Sequence, residues 1–233
     1  KLYTGTGSNN ITLTMDNVGW VWMKNRTNSG NHILIDVVRG GNNSNSQKPV
    51  LVSNTNGAEQ GSDITATGGV AFGSTSTVIG SDNGGYNYNN STSSSYVAWH
   101  WGTGTSFSND ASSTGVGTID STGSISSDSG FSIISYTGTG SAGSVAHGLG
   151  VKPDWILSKD RSASGDWNVY HDSFANQERA KLNTTAAKTT NTSIYASLPT
   201  SSVINVGTGG NINTSGNSHI FYCFAPKTGL YRI

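Results

Sequence analysis

Five histidines, His32, His100, His147, His171 and His219, are the residues here best suited to binding a metal or moving a proton near neutral pH. None pairs with another at metal-ligand spacing. His171 and Asp172 are adjacent, which on a strand points them to opposite faces. The carboxylates are few and scattered, and no nucleophile-elbow pattern marks a Ser–His–Asp site. Asp82-Asn83-Gly84 matches a fragment of a calcium loop but lacks the remaining ligands. Gly138-x-Gly140-x-x-Gly143 matches the dinucleotide fingerprint and follows an apolar run, Phe131 to Tyr136. That motif needs a helix N-terminus immediately after it, to hold a pyrophosphate. The chain instead runs Ser144 to Pro153 with two Gly, a Pro and no helical period, which reads as a β-turn. The single cysteine, Cys223, sits in the apolar run Ile220 to Phe224 and reads as a small core residue. These residues predict no enzyme, no cofactor and no metal site.

Binding chemistry is left. Lys24-x-Arg26 and Lys159-x-Arg161 are the most concentrated charge in the chain, each at the end of an apolar run and before a Ser/Gly turn. Such a pair caps the turn or meets a carboxylate such as Asp36 or Asp172; alternatively it contacts an acidic glycan or a neighbouring subunit. Tyr86 and Tyr88 lie in the polar loop Gly84 to Asn89, with no obvious core to join. They either stack on a sugar or pack onto a neighbouring module. Tyr86, Tyr88, Lys24, Arg26, Lys159 and Arg161 are therefore the candidate ligand-binding residues.

The elements that must carry these residues are strands. Of 233 residues 11% are charged and 33% hydrophobic, with 13 Lys+Arg balancing 13 Asp+Glu. Typical soluble domains are ~25% charged. A neutral, charge-poor chain makes a poor nucleic-acid or anionic-membrane binder, because counterion release needs clustered cations. No apolar run approaches a membrane-spanning length. Gly, Ser, Thr and Asn make up roughly half of the chain. Helix formers are scarce, and apolar runs are short and alternating, as in Ile11, Leu13, Met15 or Val97, Trp99, Trp101. The only helix-like stretch is Ala175 to Leu182. Gly/Asn/Ser clusters between runs supply turns. The pattern predicts an all-β protein of β-sandwich or barrel-like modules with long Gly/Ser/Asn loops.

The module occurs twice. Tyr3-Thr4-Gly5-Thr6-Gly7-Ser8 returns letter for letter as Tyr136-Thr137-Gly138-Thr139-Gly140-Ser141. Lys24 to Asn31 answers Lys159 to Asp166, and Tyr96 to Trp101 answers Ile220 to Phe224. Three ordered matches predict homologous modules over 1–128 and 129–233. The first carries an insertion near 40–69, and a linker starts at about residue 102, with a short strand possible in Gly115 to Ile125. Read end to start, Gly229-Leu230-Tyr231-Arg232-Ile233 and Lys1-Leu2-Tyr3-Thr4-Gly5 nearly repeat Gly130 to Gly138. The termini then fall at a repeat boundary: a window of a longer array, or units joining head to tail.

The succession Tyr-Thr-Gly-x-Gly-Ser, His147-Gly-Leu-Gly-Val-Lys-Pro-Asp-Trp-Ile-Leu-Ser-Lys-Asp-Arg161, Trp167-Asn-Val-Tyr-His171, Pro199 to Gly207 and His219 to Ala225 resembles a repeat of large virion structural proteins. Those proteins belong to marine bacteriophages of the cyanophage and pelagiphage kind and are usually labelled tail-fibre or structural proteins. The resemblance covers most of 130–233. The first module is a divergent copy that has Thr12 to Val18 in place of the His-Gly-Leu-Gly segment. The resemblance implies jelly-roll-like β-sandwich modules in a non-enzymatic tail fibre or surface appendage, placed on the virion surface or outside the cell. Its implied partners are copies of itself (a trimer or a head-to-tail array), other virion proteins and a host cell-surface glycan. It carries over no catalytic residue. A head-to-tail extracellular filament subunit and a secreted carbohydrate-binding module are the competing expectations.

Overall fold

The computed structural model describes residues 1–7, 11–40, 49–60, 70–80, 90–102 and 104–229. It is nearly all β, and its sheets are antiparallel. The chain divides into two compact units, Lys1–Thr103 and Gly104–Ile233.

The first unit contains β1 (Leu2–Thr4), β2 (Ile11–Thr14), β3 (Val18–Asn25), β4 (His32–Asp36), β5 (Leu51–Val52), β6 (Val70–Phe72), β7 (Ser76–Ile79) and β8 (Ser95–Gly102). One sheet runs β1-β8-β3-β4-β5 and a second runs β2-β7-β6. Alternation along the strands selects what they bury. Val21, Met23, Ile33, Ile35 and Ala98 of the larger sheet form one core cluster with Leu13, Val70 and Ile79 of the smaller. Trp20, Trp22, Trp99 and Trp101 occupy the opposite side of β3 and β8, with Trp20–Trp101 centroids 4.6 Å apart.

The second unit contains β9 (Thr105–Asn109), α1 (Ala111–Thr114), β10 (Ser121–Ser126), β11 (Phe131–Thr137), β12 (Gly143–Ala146), β13 (Trp155–Asp160), β14 (Asn168–His171), β15 (Glu178–Lys181), β16 (Thr189–Thr190), β17 (Val203–Val206), α2 (Gly210–Asn213) and β18 (Ser218–Phe224). Its long sheet runs β16-β15-β14-β13-β18-β11-β10-β9, and β12 pairs with β17. Ile134, Tyr136, Ile156, Phe221 and Cys223 of the long sheet share one core cluster with Val145, Ile204 and Val206 of the short pair. Neither helix is long and apolar enough to cross a membrane.

The strand orders correspond. β1-β8-β3-β4-β5 matches β11-β18-β13-β14-β15, and the pair β2-β7 matches β12-β17. The repeated hexapeptide makes the same turn in both units. Gly5 N–H donates to Ser94 O and Gly7 N–H to Asn90 O; Gly138 N–H donates to Asn217 O and Gly140 N–H to Asn213 O. A Cβ on Gly5 would lie 2.1 Å from Ser91 O, and one on Gly138 would lie 2.1 Å from Thr214 O. Gly7 and Gly140 take φ of 80° and 76°, a region costly for side-chain residues. The identical letters thus answer identical backbone contacts.

Two expectations change. The stretch after residue 102 is not a linker: Thr105–Asn109 and Ser121–Ser126 pair with each other, and the latter pairs with β11. Residues 104–128 therefore belong to the second compact unit, and the boundary falls at 103/104 instead of 128/129. Ala175 to Leu182 is a turn and a strand, not a helix. Gln177 has a positive φ of 66°, and Glu178–Lys181 pair with β14 on one side and β16 on the other. Of the expected insertion near 40–69, residues 41–48 and 61–69 lie outside the described residues, as do the matching C-terminal residues 230–233.

Candidate functional site

The two basic pairs end equivalent strands, β3 and β13. Lys24 is half-buried and lies across from His32. Burial, and then the Lys24 charge, hold the His32 imidazole below its ordinary value. Arg26 is exposed, and its backbone N–H donates to Ser95 O at 2.7 Å. The carboxylates considered as their partners serve other cations. Asp36 Oδ2 binds Arg39 Nε at 2.6 Å, and Asp172 binds Lys152. Lys159 is fully buried. Its Nζ donates to Asp160 O at 2.7 Å and Ala163 O at 3.2 Å. Burial pushes that ammonium down to about 8. Lys159 therefore closes a turn and presents no cation to a ligand in solvent. Arg161 is half-buried; its backbone N–H donates to Ser218 O at 2.8 Å and its Nη1 to Ser135 Oγ at 3.4 Å. Tyr86, Tyr88 and the Asp82-Asn83-Gly84 fragment lie outside the described residues.

The residue between each basic pair carries more of the structure than the pair does. Asn25 Oδ1 accepts from Thr27 N at 2.8 Å and Asn28 N at 3.0 Å. Asp160 Oδ1 accepts from Ser162 N at 2.9 Å and Ala163 N at 3.1 Å. Both are buried and both start the turn by an Asx-type bond. Their common signal in the sequence was the position inside the repeated Lys-x-Arg.

The groups with nucleophile or proton-transfer chemistry are occupied or shielded. His147 Nε2 meets Thr200 O at 3.2 Å, and its Nδ1 accepts from Leu149 N at 3.3 Å, which sets a neutral tautomer. Burial lowers its pKa to about 4. The following Gly148 has φ of 70°, and a Cβ there would lie 2.0 Å from Ile125 Cδ1. The His-Gly-Leu-Gly segment is thus a packed corner. Gly138-x-Gly140-x-x-Gly143 leads into strand β12, so no helix N-terminus follows it; the turn meets the C-terminal end of α2 instead. Cys223 is buried and its thiol is pushed up to about 12. Among the described residues no three of His, Cys, Asp and Glu group closely enough to hold a metal ion.

The second unit has a polar cleft of about 370 Å³ at one end of its long sheet. Cross-strand register builds its floor: Ser108 of β9 lies beside Thr122 of β10, which lies beside Ser135 of β11. Directly opposed residues on one sheet face bring their Cβ atoms to ~5 Å, so the three hydroxyls form a row. Thr137 and Ser218, also paired, continue the wall. Asp110 and Asp120 stand where β9 ends and β10 is about to begin. Each has one oxygen fixed by helix α1. Asp110 Oδ1 accepts from Ser113 N at 3.1 Å and Ser112 Oγ at 2.7 Å, while Asp120 Oδ1 accepts from Ala111 N at 2.8 Å. The Ser112 hydroxyl, with Ser113 N–H behind it, holds the Asp110 carboxyl below the usual range. Both Oδ2 atoms make no hydrogen bond among the described residues. Among the described residues singled out in the sequence as ligand-binding, none lines it; the Arg161 guanidinium meets the Ser135 hydroxyl that does. The cleft residues carry ordinary Ser/Thr/Asp patterning, and only the pairing of β9 with β10 brings them together.

One family model, described as Domain of unknown function (DUF7483), matches residues 1–233. The chain belongs to this family. The DUF7483 match spans both compact units, including the segment 104–128 that builds the cleft. No curated protein and no solved structure matches the DUF7483 chain.

Proposed function

We propose that this chain is a non-enzymatic structural segment of a bacteriophage virion, from a tail fibre or other surface appendage. It is built as two tandem homologous β-sandwich modules of jelly-roll-like type, self-associates in a trimer and works on the virion surface against host glycans. The observation that supports this reading is the correspondence between the units: one strand order, and one glycine turn closed by equivalent hydrogen bonds. Duplicated modules of this kind serve as spacers, because each added module extends the particle at little cost in new sequence. The marine-phage resemblance supplies the setting. The locked His147 and the shielded Cys223 favour structure over catalysis.

The experiment is to purify virions of a phage encoding this polypeptide and identify their proteins by mass spectrometry, with light scattering on the isolated chain. Its presence in particles and a discrete trimer mass are expected. Absence from particles overturns the reading.

A head-to-tail array is the second reading. That reading expects an open-ended series of masses in the same light-scattering run.

A further inference from the structure

We infer that the cleft of the second unit is a binding site for a neutral saccharide of one or two rings. The inference rests on the reading of this chain as an appendage segment that meets host surfaces, and gives that contact a place and a ligand class. Size comes first: about 370 Å³ falls at the low end of the small-ligand range. The walls come second. Thr122, Ser135, Thr137 and Ser218 present hydroxyls, each able to donate and accept. Sugar hydroxyls have the same double capacity, so a comb of Ser and Thr can match a ring of them in either direction. The Oδ2 atoms of Asp110 and Asp120 add two charged acceptors, and charge-assisted hydrogen bonds are the stronger kind.

Pre-organisation is the third argument. Asp110 and Asp120 are held from behind by the backbone of α1, and the hydroxyl row rides on adjacent strands of one sheet. Fewer rotamers are then lost when a ligand binds. Charge selects the ligand. Asp110 and Asp120 line the cleft and no Lys or Arg does among the described residues, so it is net negative, which disfavours uronates, sialates and phosphates. The lining offers no broad apolar floor, which disfavours lipids and aromatic ligands. With hydrogen bonds as the main attraction, one site has a Kd on the order of 1 mM, and repetition along a multimeric fibre raises it to useful avidity.

The test is an amide NMR titration of the full chain with three probes: a panel of neutral mono- and disaccharides, glucuronate, and calcium chloride alone. A neutral sugar should shift the amides of residues 108–122, 135–137 and 218. Thr122→Trp, which fills the cleft from an exposed position, should abolish those shifts. Asp120→Asn, which keeps an acceptor for Ala111 N, should weaken binding about ten-fold. Either variant suffices if the other does not fold. Shifts confined to calcium, shifts only with glucuronate, shifts that survive Thr122→Trp, or no shifts with the panel each overturn the site. If the polypeptide is still found in purified virions, that failure removes the saccharide site and leaves the appendage reading intact.

Discussion

Asn90 and Asn213 perform the same task in the two units. Asn90 Oδ1 accepts from Thr6 N at 2.7 Å, and Asn213 Oδ1 accepts from Thr139 N at 2.8 Å. Their Nδ2 groups donate to Gly80 O and Gly207 O, each at 3.0 Å. Both side chains are fully buried. Each therefore ties the glycine turn to the chain segment that follows β7 or β17. Asn213→Ala would leave the Thr139 N–H and the carbonyls of Ser141 and Gly207 without this partner. Unsatisfied buried groups cost ~1–3 kcal/mol each. We expect a loss of about 3 kcal/mol in urea unfolding, a similar loss for Asn90→Ala, and no rescue by Asn213→Asp, whose oxygen would face Gly207 O.

The glycines separate two kinds of constraint. A Cβ at Gly138 would lie 2.1 Å from Thr214 O and 2.9 Å from His219 Nε2. Gly216 has φ of 78° but nothing within 4 Å of a Cβ. Gly138→Ala should cost about 3 kcal/mol or more because backbone must move, whereas Gly216→Ala should cost only ~1–2 kcal/mol for the left-handed backbone. Unfolding midpoints in urea compare the two directly. Equal losses would show that the close approach at Gly138 is relieved without strain.

Acid should loosen the second unit through His147. Its folded-state pKa is about 4, below the ordinary 6.5. The unfolded chain takes up the proton first as pH falls, so stability is full above pH ~6.5 and is lost on the way down to about 4. The whole effect is about 3 kcal/mol at ~1.4 kcal/mol per unit. Burial lowers His100 to about 4 and lowers His219 too, so both add to the slope of unfolding free energy measured from pH 7 to 4, and His147→Asn, which does not titrate, should remove the share of His147 alone.

Arg39 should be among the least replaceable residues of the first unit. Its guanidinium, with the side chain fully buried, binds Asp36 at 2.6 Å and Glu59 at 3.1 Å and donates to Leu34 O and Pro49 O. It thereby ties β4 to residues 49–60 of the expected insertion. Arg39→Met leaves the buried Asp36 carboxylate without this cation, and such losses run to ~3–5 kcal/mol. Thermal unfolding should show the drop. Arg39→Lys should recover only part of it, since one ammonium cannot serve four acceptors set in a fork.

Much of this was legible in the residues. Ile11, Leu13 and the alternation across Tyr96 to Trp101 specify strands through a period of two, and burial follows it: Tyr96 and Ala98 are buried while Trp99 is 43% exposed. The hexapeptide repeat was legible because glycine contacts admit no substitute, so two copies keep the same letters. Cys223 was legible from its apolar neighbours. Local chemistry of this sort is written within a few residues.

Other features depend on partners far along the chain. Ser121–Ser126 overlaps the short strand expected within Gly115 to Ile125, but Thr105–Asn109 is too polar for a hydrophobic period to mark it and becomes a strand by pairing with β10. Asn213 looks like any loop asparagine until Thr139, 74 positions away, supplies its N–H. Composition and period by themselves determined an all-β, charge-poor protein, because those properties are set residue by residue. Only the tertiary structure decided which polar groups are buried, which cap turns and which line a cleft, because a hydrogen bond depends on distance in space and not on separation in sequence.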